Sequence, residues 1–401
     1  MNNDASSLSN DVTAAIDLAA NKCREHLVAI RRDLHMHPEL AFEEHRTAGA
    51  VAAELARLGI EHRAGVGRTG VVGVVKGGRP GPVLAIRADM DALSIHEETK
   101  LPFASTVPGK MHACGHDLHT ATLLGVGSVL QELRQHLSGE VRLLFQPAEE
   151  VGGGAKAMIA DGAMEGVSMA LSLHNRPEIP VGRFGIVHGP ANSASDTFEI
   201  LVHGKSGHGA RPYAAVDPIV AAAQLIGQLQ TIVSRDIRAL DSCVVTVGSI
   251  HAGDVHNVIP DRCVMKGTVR TRQAEARDTA EQGIRRICEG IAAGLRVRCD
   301  VSYRRGTPAI INDETMLQRT VAAIQAQIGD VADEYEPSLG GEDFAYMAEM
   351  VPAFRLLVGS SQAGRADKVH NSDYQPDEGC IGFGVRALVR TALDVQANPN
   401  R

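Results

Sequence analysis

The sequence predicts an α/β protein: a mixed, largely parallel sheet covered by helices, with a second α/β unit inserted into the chain. Three observations predict this. The chain has 401 residues, beyond the roughly 250–300 at which a single apolar core stops growing. Short apolar runs alternate with amphipathic stretches before residue 190 and again after residue 304, the pattern of strands and covering helices. Between them the order becomes βαββαβ, a ferredoxin-like split unit. The predicted division is therefore 1–190 with 304–401 as one discontinuous domain, and 191–303, about 110 residues, as the other.

The elements follow in order. The stretch after Asp11 reads as an amphipathic helix ending near Arg32, and a second runs from about Glu43 to Leu58. Val71-Val-Gly-Val-Val75 and Val83-Leu-Ala-Ile-Arg87 are β-branched or apolar runs bounded by Gly and Pro, suited to buried strands. A helix follows His116, then a strand Val141–Phe145, a helix Ala155–Met164 and a strand Met169–Leu173. The inserted unit reads as strand Thr197–Val202, helix Pro218–Ser234, strands Cys243–Ile250 and Cys263–Arg270, helix Arg277–Ala293 and strand Val297–Tyr303. A helix near Ala387–Val395 closes the chain.

Composition removes several classes of function. The net charge is -8, and phosphate backbones need a basic face, so nucleic acid is excluded as a partner. Aromatic residues make up 3 % and tryptophan is absent, which leaves few platforms for stacking bases. Seven cysteines, mostly single within apolar runs, read as reduced thiols of a cytoplasmic protein. The opening Met1–Asn10 is polar and acidic, unlike a secretory signal, and no apolar run approaches the ~18 residues of a membrane span.

The chemistry concentrates in Met111-His-Ala-Cys-Gly-His-Asp-Leu-His119, which holds a thiol and three imidazoles within nine residues. Cys114-x-His116 pairs a soft anionic ligand with a borderline one just before a helix, a combination suited to Zn, Ni, Co, Mn or Fe. Glu149 and Glu150 follow a strand, His174 ends another, and His370 lies in a polar loop. Strand ends are where α/β proteins place their sites. In an extended segment adjacent side chains diverge, so one glutamate can bind metal while its neighbour serves as proton shuttle. Two tempting patterns are discounted. His35-x-His37 has the look of a chelating pair, but it follows a helix and precedes Pro38. Gly152-Gly-Gly-Ala-Lys156 lacks the ending of a phosphate loop. Cys114 near His116 also permits a nucleophile–base pair, which excludes the metal reading because a metal-held thiolate is a poor free nucleophile.

These segments occur in one order with others: Arg32-Asp-Leu-His-Met-His-Pro-Glu39, Arg87-Ala-Asp-Met-Asp-Ala-Leu93, Gln146-Pro-Ala-Glu-Glu150, Leu173-His-Asn175, Ser206-Gly-His-Gly-Ala-Arg-Pro212, Asn257-Val-Ile-Pro-Asp261, Gly267-Thr-Val-Arg-Thr271 and Gly341-Glu-Asp-Phe344. Together they resemble the M20 metallopeptidase family, nearest to the amidohydrolases that include hippurate hydrolase, N-acyl-amino-acid deacylases and auxin-conjugate hydrolases. The resemblance implies a catalytic domain with an inserted lid or dimerisation domain, and a homodimer or homotetramer. It implies that Cys114, His116, Glu150, His174 and His370 hold two divalent ions (Mn, Zn, Ni or Co), with Cys114 in the bridging position. Glu149 is the implied general base, and Asp89 or Asp91 supports the ligands from behind. In the inserted domain, His208 is implied to polarise the scissile carbonyl from a neighbouring subunit, and Asn257 with Arg270 to grip a substrate carboxylate. The implied reaction is hydrolysis of the amide of a small N-acyl amino acid, with a dipeptidase or aminopeptidase of the same fold as the alternative. Ser94, Leu118 and Gly209 depart from residues common at those places in the family; none is a ligand position.

Overall fold

The structure, a computed structural model, describes residues 10–397. The acidic opening before Asn10 lies outside them. The described residues divide into two compact units: 10–189, 311–336 and 343–397, and 190–310 with 337–342.

The first unit is built on an eight-stranded sheet. Its order is Glu61–Val66, Gly70–Lys76, Ser138–Gln146, Arg79–Asp89, Met169–Pro180, Ala353–Ser361, Phe184–Ile186 and Ala332–Glu334. The four central strands, from Ser138–Gln146 to Ala353–Ser361, run parallel. The first two strands add antiparallel, as does Phe184–Ile186. The sheet is thus mixed, with its parallel part confined to the centre. Ala353–Ser361 is buried along nearly its whole length, as expected of a strand covered on both faces.

Helices Asn10–Met36, His116–Glu132 and Gly379–Ala397 pack together beside this sheet. Ile16, Leu27, Leu118, Leu124, Phe145, Leu171, Phe354 and Leu388 share one apolar core. Each such side chain contributes about 1.5–3 kcal/mol by leaving water. Leu118, one of the three departures from the family pattern, is a core residue, and the helix it occupies begins at His116. Asn10–Met36 extends one turn beyond the expected end near Arg32, so His35 lies within the helix. Its ring is held by hydrogen bonds inside the protein, and that lets the last turn stay helical.

The second unit carries a four-stranded antiparallel sheet in the order Cys243–His251, Arg262–Thr271, Ala194–His203, Arg298–Arg304. With helices Pro218–Thr231 and Ala274–Leu295 this is the βαββαβ arrangement. Phe198, Ile200 and Val202 face the helices and are buried, while their neighbours are exposed or half-buried, the alternation of a sheet covered on one face. Asp217 caps the first helix by accepting the Ile219 N–H at 2.8 Å, with Pro218 in the first helical position. Among the described residues no helix is long and apolar enough to cross a membrane.

Candidate metal centre and active site

The register of the parallel strands assembles the site. Asp89 pairs with Gln146 at the carboxyl ends of their strands, and Arg87 pairs with Ser172, which brings His174 to the same level. Met169–Pro180 runs on through His174 instead of stopping at Leu173. The polar run His174-Asn-Arg176 has the composition of a loop, yet it pairs with Leu357, Val358 and Gly359. Cys114 and Gly115 lead directly into the helix His116–Glu132, whose positive end favours an anionic sulfur. Gly115 has φ +92, and a Cβ there would fall on the Asn175 amide, so only glycine fits.

All five expected ligands come together. The ligand atoms of Cys114, His116 and His174 lie within 4.8 Å of one another, as do those of Cys114, Glu150 and His370. Cys114 belongs to both groups. His116, Glu149 and Glu150 form a third. Glu150 Oε1 stands 3.3 Å from His370 Nε2 and 3.8 Å from His116 Nε2.

The ring nitrogens indicate what these groups are for. His116 Nδ1 lies 2.9 Å from the Asp91 carbonyl oxygen. A carbonyl only accepts, so Nδ1 carries a proton. Burial lowers the ring's pKa, but Asp89 and Cys114 beside it outweigh this and hold it well above the ordinary value, so Nε2 would offer its lone pair to a cation that displaces the second proton. That Nε2 is buried without a hydrogen-bond partner. His174 repeats the arrangement: Nδ1 donates to the Asn175 carbonyl at 2.8 Å, and Nε2 faces Cys114 Sγ at 3.6 Å. Burial, reinforced by the neighbouring His119, holds His174 well below its ordinary pKa, in the neutral form that can ligate. Burial pushes the Cys114 thiol up; His116 opposes this, and Glu150 and Glu149 add to it. A thiolate here therefore calls for a compensating cation. The donors fit a borderline divalent ion: one sulfur, imidazole nitrogens and a carboxylate around a lone pair left over.

Both aspartates act behind this layer. Asp91 holds His116 and also accepts the backbone N–H groups of Glu149 and Glu150 at 3.1 and 3.0 Å. Asp89 accepts from His119 Nδ1 at 2.5 Å and from Arg87 at 2.6 Å. Burial would raise its pKa, but His116, the Arg87 guanidinium and the hydrogen-bonded His119 beside it hold it well below the carboxylate range. His119 Nε2 accepts the Asn175 N–H at 2.9 Å. With both nitrogens engaged, His119 orients its neighbours rather than ligating.

Glu149 and Glu150 diverge from a turn, not from an extended segment. The strand ends at Gln146, and Ala148 adopts φ +53. Helix Gly154–Ala160 then starts so close to Pro147 that a Cβ on Gly154 would collide with the Pro147 carbonyl.

Sequence reasoning missed three supports. His119 was one of the noted imidazoles but had no role. Asp343, buried, accepts from Arg87 at 3.0 Å and Gln146 at 2.7 Å, tying together two motifs that lie 256 and 197 positions before it in the chain. Tyr374, buried, is hydrogen-bonded to the Asn175 amide. A polar residue repeatedly flanking a ligand was the available signal.

The remaining expected residues lie in the second unit. His208 and Asn257 are neighbours: Val258 pairs with His208, and Gly209 N–H donates to the Asn257 carbonyl at 2.8 Å. Arg270 is on the strand Arg262–Thr271, opposite Val244 on one side and Ser195 on the other.

The model of peptidase family M20/M25/M40 matches residues 85–394. The chain belongs to this family. Among M20 relatives it is 45 % identical over 370 residues to an N-acetylcysteine deacetylase of Bacillus subtilis, covering 92 % of this chain and 96 % of the relative. An IAA-amino acid hydrolase of Arabidopsis thaliana is 37 % identical over 376 residues, 92 % of this chain and 84 % of that one. A solved Bacillus subtilis structure, named as a dinuclear metal-binding peptidase of the M20 family, superposes with a TM-score of 0.85 at 39 % identity, covering 94 % of this chain and 99 % of its own. The protein is an M20 amidohydrolase.

Proposed function

We propose that the protein hydrolyses the amide bond of small N-acyl amino acids, acetyl or hippurate-like, releasing a carboxylic acid and the amino acid. Two divalent ions, Mn, Zn, Ni or Co, are held by Cys114, His116, Glu150, His174 and His370. The observation that carries this is the Cys114 sulfur shared by two ligand groups beside a buried, unpartnered His116 nitrogen. The deacetylase and hydrolase relatives support the substrate class, and the dinuclear relative supports the number of ions.

When bound, the ions supply Lewis acidity and make water more acidic. Glu149 takes a proton from the attacking water at its carboxylate and returns it to the leaving nitrogen. Arg270 and Asn257 hold the free carboxylate, for which the planar guanidinium offers two parallel hydrogen bonds. His208 steadies the carbonyl oxygen. In support, the Ala210 N–H donates to His208 Nδ1 at 3.1 Å, which leaves the proton on Nε2 of the neutral ring, ready to donate.

The chain is further inferred to pair with a second copy. The outer face of helix Pro218–Thr231 exposes Ile219, Val220 and Ile226, and the edge strand Cys243–His251 exposes Val244 and Ile250. An apolar helix face beside an open strand edge suits a self-complementary contact. All seven cysteines are free, which supports the cytoplasm as its compartment.

The test is a hydrolysis panel of acetyl-, benzoyl- and indoleacetyl-amino acids against dipeptides, run with added divalent ions and with Glu149→Gln as control. Turnover of dipeptides alone overturns the substrate class. Mixing His208→Ala with Glu149→Gln restores activity in mixed dimers if His208 serves the partner's substrate, and does not otherwise.

A further inference from the structure

Glu44 is buried just ahead of helix His45–Arg57, and none of the roles above uses it. One carboxylate oxygen accepts the Ala148 N–H at 2.8 Å; the other accepts the Thr69 hydroxyl at 2.5 Å. The next two amides, of Glu149 and Glu150, point to the two oxygens of Asp91. Three consecutive N–H groups thus converge on two buried carboxylates, the concave arrangement that anions stabilise.

The residue in Glu44's grip is a strained one. Ala148 has φ +53, a conformation that a Cβ disfavours. Among the described residues six non-glycines have positive φ, and Phe42, Arg68 and Ala148 are three of them. They belong to one neighbourhood: Arg68 stacks over the Phe42 ring at 4.0 Å, Gly153 packs on that ring, and Glu44 and Thr69 adjoin the other two. The Ala148 carbonyl in turn accepts the N–H groups of Gly153 and Gly154, both at 3.2 Å. The left-handed turn at Ala148 decides where Glu149 and Glu150 part. Such strain persists only where surrounding groups hold it, and it gathers at functional sites.

We propose that Glu44 is a positioning residue for the Glu149–Glu150 pair, fixing Ala148 in the left-handed conformation that sends the two carboxylates apart. The proposal rests on the reading of Glu149 as proton acceptor. What it requires of Glu44 is an acceptor at the right reach, not a charge. Glutamine keeps that reach, because its carbonyl can face Ala148 while its amide donates to the Thr69 oxygen. Aspartate keeps the charge but is one methylene too short.

The experiment measures kcat, KM, cation content and amide exchange at 148–150 for Glu44→Ala, Glu44→Gln and Glu44→Asp, each with and without Ala148→Gly. Glu44→Ala should lower kcat on the order of tenfold, the cost of an unsupported left-handed residue, with little change in KM. Because glycine adopts that conformation freely, the loss should shrink severalfold when Ala148→Gly is present. Glu44→Gln should outperform Glu44→Asp, and this ranking decides the matter if Glu44→Ala does not fold. An equal loss with and without Ala148→Gly, or Glu44→Asp outperforming Glu44→Gln, overturns the proposal. If wild type turns over no N-acyl amino acid, the functional reading fails separately. Exchange at the Ala148 amide still judges Glu44: faster in Glu44→Ala upholds the positioning, unchanged overturns it.

Discussion

His35-x-His37 and Cys114-x-His116 have the same spacing, and both lie at an end of a long helix. Their fates differ because of the nitrogen each histidine has left. His35 is used up: Nδ1 lies 2.8 Å from Asp117 and Nε2 lies 3.2 Å from Glu97, while Arg31 joins Asp117 at 2.7 Å. His37, one residue past the helix, donates Nδ1–H to the Asp33 carbonyl at 2.8 Å, and its ring is partly open to solvent. His116 spends one nitrogen on Asp91 and keeps the other buried without a hydrogen-bond partner. Ligand spacing identifies candidates; the hydrogen-bond account of each ring separates a structural clamp from a metal ligand.

The sharpest way to break this contrast is His116→Ala. It should remove bound cation and lower turnover by more than the roughly 10²–10⁴-fold that losing a general base costs, read by elemental analysis and kinetics together. Glu149→Gln should fall within that roughly 10²–10⁴-fold range while the cation content stays at the wild-type level. If that variant loses its cations, Glu149 is a ligand and not a base. Asp89→Asn, which disturbs His119 and removes the carboxylate 3.7 Å from His116 Nε2, should weaken cation affinity by about 10–100-fold, measured by competition with a chelating dye.

His35→Ala should leave cation binding intact and cost stability instead, about 3 kcal/mol or more for breaking a buried charged network, as seen in denaturant unfolding. Its pH dependence has a definite sign. Burial lowers the His35 pKa, but the hydrogen bonds to Asp117 and Glu97 outweigh it and leave the pKa above the ordinary 6.5. A raised folded-state pKa gives stability that is fully present below pH 6.5 and lost as pH climbs through the folded value. The stability gap between wild type and His35→Ala should therefore narrow from pH 6 to pH 9; a gap that widens would mean His35 folds neutral.

Much of this was legible in the residues. The buried runs of Gly70–Lys76 and Arg79–Asp89 were readable because strand segments covered on both faces need continuous β-branched or apolar runs. The βαββαβ order was readable from alternation. Glu61–Val66 and Ala332–Glu334 were not: they are largely exposed and made mostly of polar or small residues, and only their pairing defines them. Phe184–Ile186 was too short to register. Met169–Pro180 was cut at Leu173 because its polar half serves the site. The ligands themselves were legible as short motifs, each carrying its own chemistry. Glu44, His119 and Asp343 were not, because their meaning lies in partners 25 to 256 positions away, which no local pattern encodes.

The central claim is that the leftover nitrogen of His116, and not the spacing of two histidines, makes the metal centre. Equilibrium dialysis against Mn²⁺ and Zn²⁺, run on wild type, His35→Ala and His116→Ala side by side, tests it most directly. Two ions per chain in wild type and in His35→Ala, with one or both lost in His116→Ala, is the predicted result. Full occupancy in His116→Ala, or no binding by wild type at saturating ion, would contradict it.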